Sequence, residues 1–340
     1  IDTIDNPVTR DYFRRTIAAC FRTYPHLRGI GLTTGENMGT KDTDAVEEWA
    51  LATFGRGVLD SVAGQPGRTI TFIHRQHMST GENISRTFAK LIDHPDIDFV
   101  FSFKYAKAHI HSSTRQPGAE AFAQSLVPLG LQTLWTLRND DTFHFRWGAP
   151  DFVRDFLGNL PSKVSRGYYV GSDQYIWGRE FLSKTPQSPR QLEIDKHWFH
   201  WMLWGRLGYD TSVTNERFEK LLEAKFPGVS GTTLLSAWQQ ASMVYPLTTG
   251  FHWGQLDFQW YIEACKGAPW VSKNPIGFHD VNWFITVPPH PGTDIMSIPE
   301  YVELITSGGK DRRISPLDIS TRLHRHEKRA RTMLQTLFRV

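Results

Sequence analysis

This sequence of 340 residues has few of the features that mark disulfide-bonded or membrane-bound proteins. Its two cysteines, Cys20 and Cys265, form neither a disulfide framework nor the ligand spacing of a zinc site. We expect Cys20 to lie in the core, because it falls in an apolar helical pattern. The apolar runs are too short to span a bilayer, and no signal peptide is visible. The sequence therefore predicts no membrane partner and leaves the compartment open, with the periplasm or the cell exterior as candidates.

An excess of charge of one sign is also lacking. The chain has 38 basic and 35 acidic residues, which gives a net charge of +3. The only local excess is a basic amphipathic segment at 322–339, and a solvated helix face explains it better than nucleic-acid binding does. We therefore expect no nucleic-acid partner and no cofactor, and the oligomeric state stays open.

A repeated βα pattern is what the sequence does contain. Five short apolar runs with strand composition each end in a polar cluster, and they lie at 27–37, 68–77, 98–111, 131–141 and 166–174. Amphipathic segments long enough for helices separate them, as in a parallel sheet built from βα units. No glycine-rich phosphate loop follows any run. This favours an α/β fold of the (β/α)8 TIM-barrel type over an open α/β sheet, which is the alternative.

The number of strands indicates that such a barrel is incomplete in this chain. Eight strands are needed, whereas the pattern shows five, with 276–287 as one further candidate. We expect the chain to start part-way through a barrel, with the first strands outside it. After the fifth run the sequence becomes helical and aromatic. The predicted organisation is a partial barrel catalytic domain at 1–185 and a helical region at 186–340 that packs on it.

Local signals predict where several helices begin and what one of them buries. Thr9 should cap a helix over 9–25, Thr43 should cap one over 43–62, and Pro150 should lie in the first turn of another. A stripe of large rings at spacings of three and four residues predicts a packed helix rather than a ligand platform. This stripe consists of His197, Trp198, Trp201 and Trp204.

Acidic residues follow three of the predicted strands, at the end where βα barrels carry their active sites. Glu36 follows the first run, and burial against apolar walls would keep a carboxyl group protonated there, as a general acid requires. Asp140 and Asp141 follow the fourth run, and Asp173 follows the fifth. Glycoside hydrolysis needs two carboxyl groups across the scissile bond. Any of the three aspartates could partner Glu36, and the alternative for each is a cap or a turn.

Cations and hydrogen-bonding groups stand at the same strand ends. Arg offers a bidentate fork to a carboxylate, and Lys offers a compact charge. This composition predicts the binding of a uronate or another anionic sugar, and an internal ion-pair network is the alternative. The indole rings of Trp side chains often stack on sugars, and the chain has 12 Trp. The predicted substrate-binding residues are Arg75, His77, Lys104, His109, Arg138, Asn139, Trp177, His252 and Trp253.

Two other classes of function stay open on the sequence. A metal-dependent barrel hydrolase would need strand-end histidines to converge with a late aspartate. The candidates are His74, His77, His109 and His111 with Asp173, although we expect no metal. A non-catalytic sugar-binding protein would keep the aromatic and cationic residues without needing Glu36.

Several segments resemble the α-glucuronidases of glycoside hydrolase family 67. That family is known for a (β/α)8 barrel followed by an all-helical region. HWFHWMLWGRLGYDTSVTNERFEKLLEAKF (197–226) resembles its first helices after the barrel. LSAWQQASMVYPLTTGFHWG (235–254) resembles the next helix and the turn over its active site. The resemblance covers most of the chain by order of elements and short stretches by residue.

Three strand segments extend this resemblance to the active site. GIGLTTGEN (29–37) resembles the strand that ends in the family's catalytic acid, which implies that role for Glu36. FSFKYAKAHIHSSTRQP (101–117) resembles the strand with a substrate-binding Lys, matched by Lys104, although Ala-His-Ile at 108–110 replaces the Asp that follows. LQTLWTLRNDD (131–141) implies the second carboxylate at Asp140 or Asp141. The resemblance implies a divergent relative that hydrolyses acidic oligosaccharides with inversion.

Overall fold

A computed structural model of the chain describes residues 3–34, 38–104, 110–138, 146–171, 179, 184–253 and 281–337. For residues 104, 138, 171 and 283 it describes the backbone only. The chain divides into two compact units. The first comprises Ile1–Lys104, Gly118–Thr136 and Pro161–Tyr169, and the second comprises Tyr105–Pro117, Leu137–Leu160 and Val170–Val340.

Five strands form a parallel sheet in the order β1-β2-β3-β4-β5, so that each strand lies beside its neighbours in sequence. They are β1 Gly29–Thr33, β2 Ile70–Arg75, β3 Ile97–Lys104, β4 Thr133–Arg138 and β5 Ser165–Gly171. Each overlaps one of the five apolar runs, and β3 and β5 begin one residue before theirs. This agreement confirms the predicted α/β class. The ladder pairs Ile30 with Phe72 and Phe103 with Trp135.

Helices separate the strands along the chain. They are α1 Pro7–Thr23, α2 Thr43–Ala50, α3 Arg56–Gly64, α4 Gly81–Thr87, α5 Ala89–Ile92, α6 Pro117–Leu126 and α7 Pro150–Gly158. The helix predicted over 43–62 is divided, because a π-helical turn at Leu51–Gly55 separates α2 from α3. Phe72, Phe88 and Phe99 pack with ring centroids 5.7 to 5.9 Å apart between the sheet and these helices. This aromatic layer is the core behind the strands.

The rest of the chain is helical in the ranges described. The helices are α8 Glu193–Lys196, α9 Trp198–Tyr209, α10 Asn215–Lys225, α11 Gly231–Ser242, α12 Val244–Phe251, α13 Val281–Thr286, α14 Ile298–Thr306 and α15 Pro316–Leu337. Trp204 on α9 is 1% exposed, and Phe199 and Leu203 beside it are also buried. The prediction that the aromatic stripe packs in a core is therefore confirmed for Trp204 and for the buried His197. No helix in the described part of the chain is long and apolar enough to cross a membrane.

Two predicted helix caps are wrong by a few residues. α1 is capped by Asn6 instead of Thr9, and α2 by Asp42 instead of Thr43. In both cases the side-chain oxygen accepts hydrogen bonds from two backbone N–H groups at 2.9 to 3.3 Å. Asn and Asp cap helices better than Thr does, so the earlier residue sets the start. Pro150 lies in the first turn of α7, as predicted.

Two further expectations are corrected by the structure. The sequence makes 276–287 a candidate strand, but its described part is the helix α13. Its β-branched and aromatic residues favour a strand only where a partner strand supplies packing, so tertiary context decides. Cys20 is half-buried rather than in the core. The buried face of α1 consists of Ile17, Ala18 and Phe21, and Cys20 lies at its margin.

Candidate active site

The carboxyl edge of the sheet carries three of the predicted cations. Arg75 is the last residue of β2, Lys104 of β3 and Arg138 of β4. Parallel strands that end at the same edge place their last residues along it. Alternate residues of a strand point to opposite faces. Arg75 pairs in register with Ser102 and shares its face, whereas His74 points to the other face.

All four of the predicted catalytic residues lie outside the described residues. These are Glu36, Asp140, Asp141 and Asp173, together with the binding candidates His109, Asn139 and Trp177. Their roles stay predictions. The described residues at the same edge show two polar clusters that sequence reasoning missed.

The first cluster is built around a buried carboxylate, Glu47 of α2, which is 1% exposed. Its Oε2 lies 2.6 Å from Nε2 of His74, the penultimate residue of β2. Its Oε1 accepts hydrogen bonds from Thr34 Oγ1 at 2.7 Å and from Ser79 Oγ at 2.5 Å. His74 is fully buried, and its Nδ1 has no hydrogen-bond partner in the described part of the chain. The carboxylate therefore joins three segments that are distant in sequence.

These contacts set the ionisation of the Glu47 carboxyl group. Burial has the largest effect and raises the pKa of Glu47. The hydrogen bond and charge of His74, followed by the hydroxyls of Ser79 and Thr34, act in the opposite direction, and in sum the pKa lies below its ordinary value. The group is therefore ionised in the folded protein at neutral pH and acts as a hydrogen-bond acceptor.

The sequence does contain an indication that Glu47 is unusual. Its place in the first turns of a helix is ordinary for an acidic residue, but its place among the apolar residues of that helix is not. It lies next to Val46 and three residues before Ala50, both of which are buried on α2. A charged residue within the apolar stripe of a helix must be paired when it is buried. The position of Glu47 in the helical period therefore marks it as a buried, partnered group.

The second cluster consists of three hydroxyl groups on neighbouring strands. Thr136 Oγ1 of β4 donates to Tyr169 Oη of β5 at 2.6 Å. Ser102 Oγ of β3 lies 3.2 Å from Thr136 Oγ1 and 3.4 Å from Tyr169 Oη. Ser102 and Thr136 are buried, whereas Tyr169 is 36% exposed. The cluster lies on the face that Ser102 shares with Arg75, and it offers hydroxyl groups of the kind that hydrogen-bond to sugars.

In the second unit, two predicted sugar-binding residues directly follow α12. His252 is half-buried, and its ring lies edge-on to Phe284 with centroids 5.5 Å apart. Burial lowers the pKa of His252, and a backbone hydrogen bond with Phe284 partly opposes this effect. Trp253 packs edge-on against His290 at 4.8 Å. Its indole N–H is buried with no hydrogen-bond partner among the described residues.

His290 is held as a neutral imidazole. Its Nδ1 accepts the backbone N–H of Gly292 at 2.8 Å, and its Nε2 lies 3.0 Å from Oε1 of Gln116. The Gln116 amide nitrogen donates to the carbonyl of Ser113 at 3.1 Å, which turns the Gln116 oxygen toward the ring. Nε2 therefore carries the hydrogen. Burial lowers the pKa of His290 to about 4.

The histidines of the metal hypothesis are used differently where they are described. His111 lies in a ring cluster, with centroids 4.4 Å from Trp147 and 5.7 Å from His200. Within the described ranges, no three His, Cys, Asp or Glu side chains converge as metal ligands. His109 and Asp173, on which this hypothesis also depends, lie outside those ranges.

No protein-family model matches the chain, and no curated protein matches it in sequence. Among solved structures, it is similar to a GH138 enzyme targeting pectin rhamnogalacturonan II. The TM-score is 0.75 at 18% sequence identity, and the alignment covers 97% of this chain. The chain spans 39% of the length of that neighbour. The chain therefore has the fold of the corresponding part of a GH138 glycoside hydrolase.

Proposed function

We propose that this chain is the catalytic part of a glycoside hydrolase that cleaves uronate-bearing oligosaccharides during polysaccharide degradation. The observation that carries the proposal is the shared fold over 97% of the chain with an enzyme that targets a pectin. Fold alone does not determine activity, so the strand-end chemistry supplies the second support. The α-glucuronidase-like specificity implied by the family 67 resemblance is one of the uronate linkages that this proposal includes.

The proposed architecture is a (β/α)8 barrel followed in the chain by a helical region. The five parallel strands follow one another in sequence order, as consecutive strands of a barrel do. In this proposal residues 1–185 belong to the barrel, and residues 186–340 form the helical region that packs on it.

The proposed catalytic pair consists of Glu36 and Asp140. Glu36, which follows β1, protonates the leaving oxygen, and Asp140, which follows β4, acts as the base or nucleophile. Asp141 and Asp173 are the other candidates for the second role. Separations of about 6.5–9.5 Å between the carboxyl groups give inversion, and about 5–5.5 Å gives retention. The resemblance to family 67 implies inversion, which NMR of the first-formed anomer tests.

The proposed substrate contacts surround the carboxyl group of the sugar. Arg75 is a described cation at the sheet edge and can form a bidentate pair with a uronate carboxylate. Lys104 and Arg138 end the two adjacent strands. His77, Asn139, His109 and Trp177 complete the proposed sugar contacts from the strand ends. His252 and Trp253, which belong to the second unit, are the remaining proposed contacts.

The test is sugar release from pectic and xylan-derived oligosaccharides that carry uronates, compared with the same oligosaccharides after methyl esterification. Wild type is measured beside Glu36→Gln, with Glu48→Gln as the matched control because Glu48 is exposed. We expect release from the acidic substrates by wild type and by Glu48→Gln. We expect Glu36→Gln to lose about 100-fold or more in kcat.

Arg75→Gln tests recognition of the carboxylate separately from catalysis. We expect KM for the acidic substrate to rise by about 10-fold or more, with little change for the esterified substrate, because the lost contact is charge-assisted. Release of sugar by Glu36→Gln at the wild-type rate would contradict the assignment of the acid. Release from no substrate by wild type would refute the proposed activity.

A further inference from the structure

A single buried carboxylate connects the ends of two strands to the segments that leave them. Thr34 directly follows β1, His74 is the penultimate residue of β2, and Ser79 directly precedes Thr80, the capping residue of α4. All three contact the Glu47 carboxylate at 2.5 to 2.7 Å. Glu47 and its three partners are at most 4% exposed. The contacts are therefore shielded from water and hold in one geometry.

Stability alone does not explain a charged group at this position. Removing a carboxylate from water is costly, and apolar residues of similar volume often stabilise a protein more than a buried ion pair does. The rings of Phe88 and Phe101 lie 5.1 and 5.8 Å from the His74 ring, so the surroundings are apolar. Val46, the neighbour of Glu47 on α2, is buried and apolar. Because desolvation of a carboxylate in such surroundings is costly, we expect Glu47 to have a use beyond packing.

The position of the partners indicates that use. Thr34 lies two residues before Glu36, and Ser79 lies two residues after His77. The sheet ladder continues past Arg75, because the N–H of Gln76 donates to the carbonyl of Ser102 at 2.7 Å. The segment after β2 is thus held by the ladder at one end and by the Ser79 hydroxyl at the other. Thr34, the residue that directly follows β1, is fixed by the same carboxylate.

We propose that Glu47 is a positioning residue of the active site, whose carboxylate fixes Thr34, two residues before the proposed catalytic acid, and Ser79, two residues after the proposed substrate-binding histidine. This inference rests on the proposed hydrolase function. It predicts that each hydroxyl partner of Glu47 affects a different kinetic constant. Thr34 acts on the segment of Glu36 and should affect kcat, and Ser79 acts on the segment of His77 and should affect KM.

Two isosteric substitutions and one conservative rescue test this. Thr34→Val removes the hydroxyl that donates to Glu47 and keeps the shape, whereas Thr34→Ser keeps the hydroxyl. We expect Thr34→Val to lower kcat by about 10- to 100-fold with a similar KM, and Thr34→Ser to retain most of the activity. We expect Ser79→Ala to raise KM by about 10-fold with kcat near that of wild type. Glu48→Gln, adjacent to Glu47 and exposed, is the control.

Hydrogen exchange provides a readout that does not depend on turnover. Peptides covering 29–34 and 76–80 should exchange faster in Thr34→Val and in Ser79→Ala, respectively, and at the wild-type rate in Glu48→Gln. All variants are compared at a temperature well below their unfolding transitions. Glu47→Gln is added if it folds, and it should combine both effects.

Two results overturn the inference. Wild-type kcat and KM in Thr34→Val and Ser79→Ala, with only a lower unfolding temperature, would make Glu47 a purely structural residue. Unchanged exchange in both segments would show that the carboxylate does not hold them. If wild type releases no sugar while Thr34→Val still speeds exchange in 29–34, the proposed function is refuted, but the role of Glu47 in holding this segment stands. The two failures are therefore distinct.

Discussion

Acidification from about pH 7.5 to about pH 5 should destabilise the second unit because His290 cannot accept a proton in the folded state without losing a hydrogen bond. Its Nδ1 accepts the N–H of Gly292, and its Nε2 faces Oε1 of Gln116. A proton on Nδ1 would point at another donor. The ring is 1% exposed, so water cannot solvate the new charge. Burial accordingly lowers the pKa of His290 to about 4 from an ordinary value of 6.5.

The sign and size of the effect follow from linkage. Between pH 6.5 and about 4 the unfolded chain binds a proton at His290 and the folded chain does not. The free energy of unfolding is therefore at its full value above pH 6.5 and decreases as the pH falls through this window. The loss is about 1.4 kcal/mol per pH unit, or about 2 kcal/mol at pH 5 and about 3 kcal/mol near pH 4. Most carboxylates remain ionised at pH 5, which limits their contribution there.

The assay is urea denaturation of wild type and His290→Asn at about pH 7.5 and about pH 5. The Asn side chain has an oxygen near the place of Nδ1, so it can still accept the N–H of Gly292 two residues on, and it does not titrate. At the higher pH the variant should be less stable, because it loses the contact with Gln116. At the lower pH the difference should shrink by about 2 kcal/mol. His26→Asn is the control, because His26 is exposed.

The reasoning would be refuted by equal losses of stability in wild type and His290→Asn between the two pH values. Other histidines with lowered pKa values, such as His252, contribute in both proteins and cancel in the comparison. A loss that disappears in His26→Asn would show that an exposed histidine carries the effect, which contradicts the geometry.

Three further predictions concern stability and are checked by urea denaturation. The pKa of the Glu47 carboxyl group is below 4.5 in the folded state. The contribution of this group to stability is therefore present above pH 4.5 and is lost as the pH falls below that value. Glu47→Gln should remove this part of the acid sensitivity. Gly148→Ala should lower the free energy of unfolding by about 1–3 kcal/mol, because a Cβ there would lie 2.6 Å from the ring of Phe199. Gly205→Ala on α9 should raise it by about 1 kcal/mol, because a Cβ there meets open space. Ser297→Ala should cost about 1 kcal/mol, because Ser297 is half of the capping box that starts α14.

The strands could be predicted because their signal is local. Each of β1 to β5 lies inside an apolar run that ends in polar residues, or begins one residue before such a run, and apolar residues on both faces are typical of parallel strands. The ends of the runs also locate the cations, since Arg75, Lys104 and Arg138 are last residues of their strands. Helix starts were less predictable, because Asn6 and Asp42 competed with Thr residues a few positions later.

The polar clusters could not be predicted in the same way, because their partners are distant in the chain. Glu47 meets residues that are 13, 27 and 32 positions away. Ser102 and Thr136 are 34 residues apart, and Tyr169 lies a further 33 residues on. Such pairs depend on strand order and register, which a single sequence does not encode locally. What the sequence can show is that Glu47 interrupts an apolar helical face, and that a partner must exist somewhere.

The two ends of the sheet differ in how they accommodate charge, and this difference favours a functional carboxyl edge. Near the amino end, Arg166 pairs with Asp98, and their side chains are 38% and 30% exposed, so water solvates both partners and the pair is inexpensive. Near the carboxyl end, His74 pairs with Glu47 at 0% and 1% exposure, where desolvation is far more costly. A fold selected only for stability gains little from a buried carboxylate–histidine contact, and this one lies where the strands end. Proteins depart from local rules chiefly at functional sites, and in parallel βα folds those sites lie at the carboxyl ends of the strands.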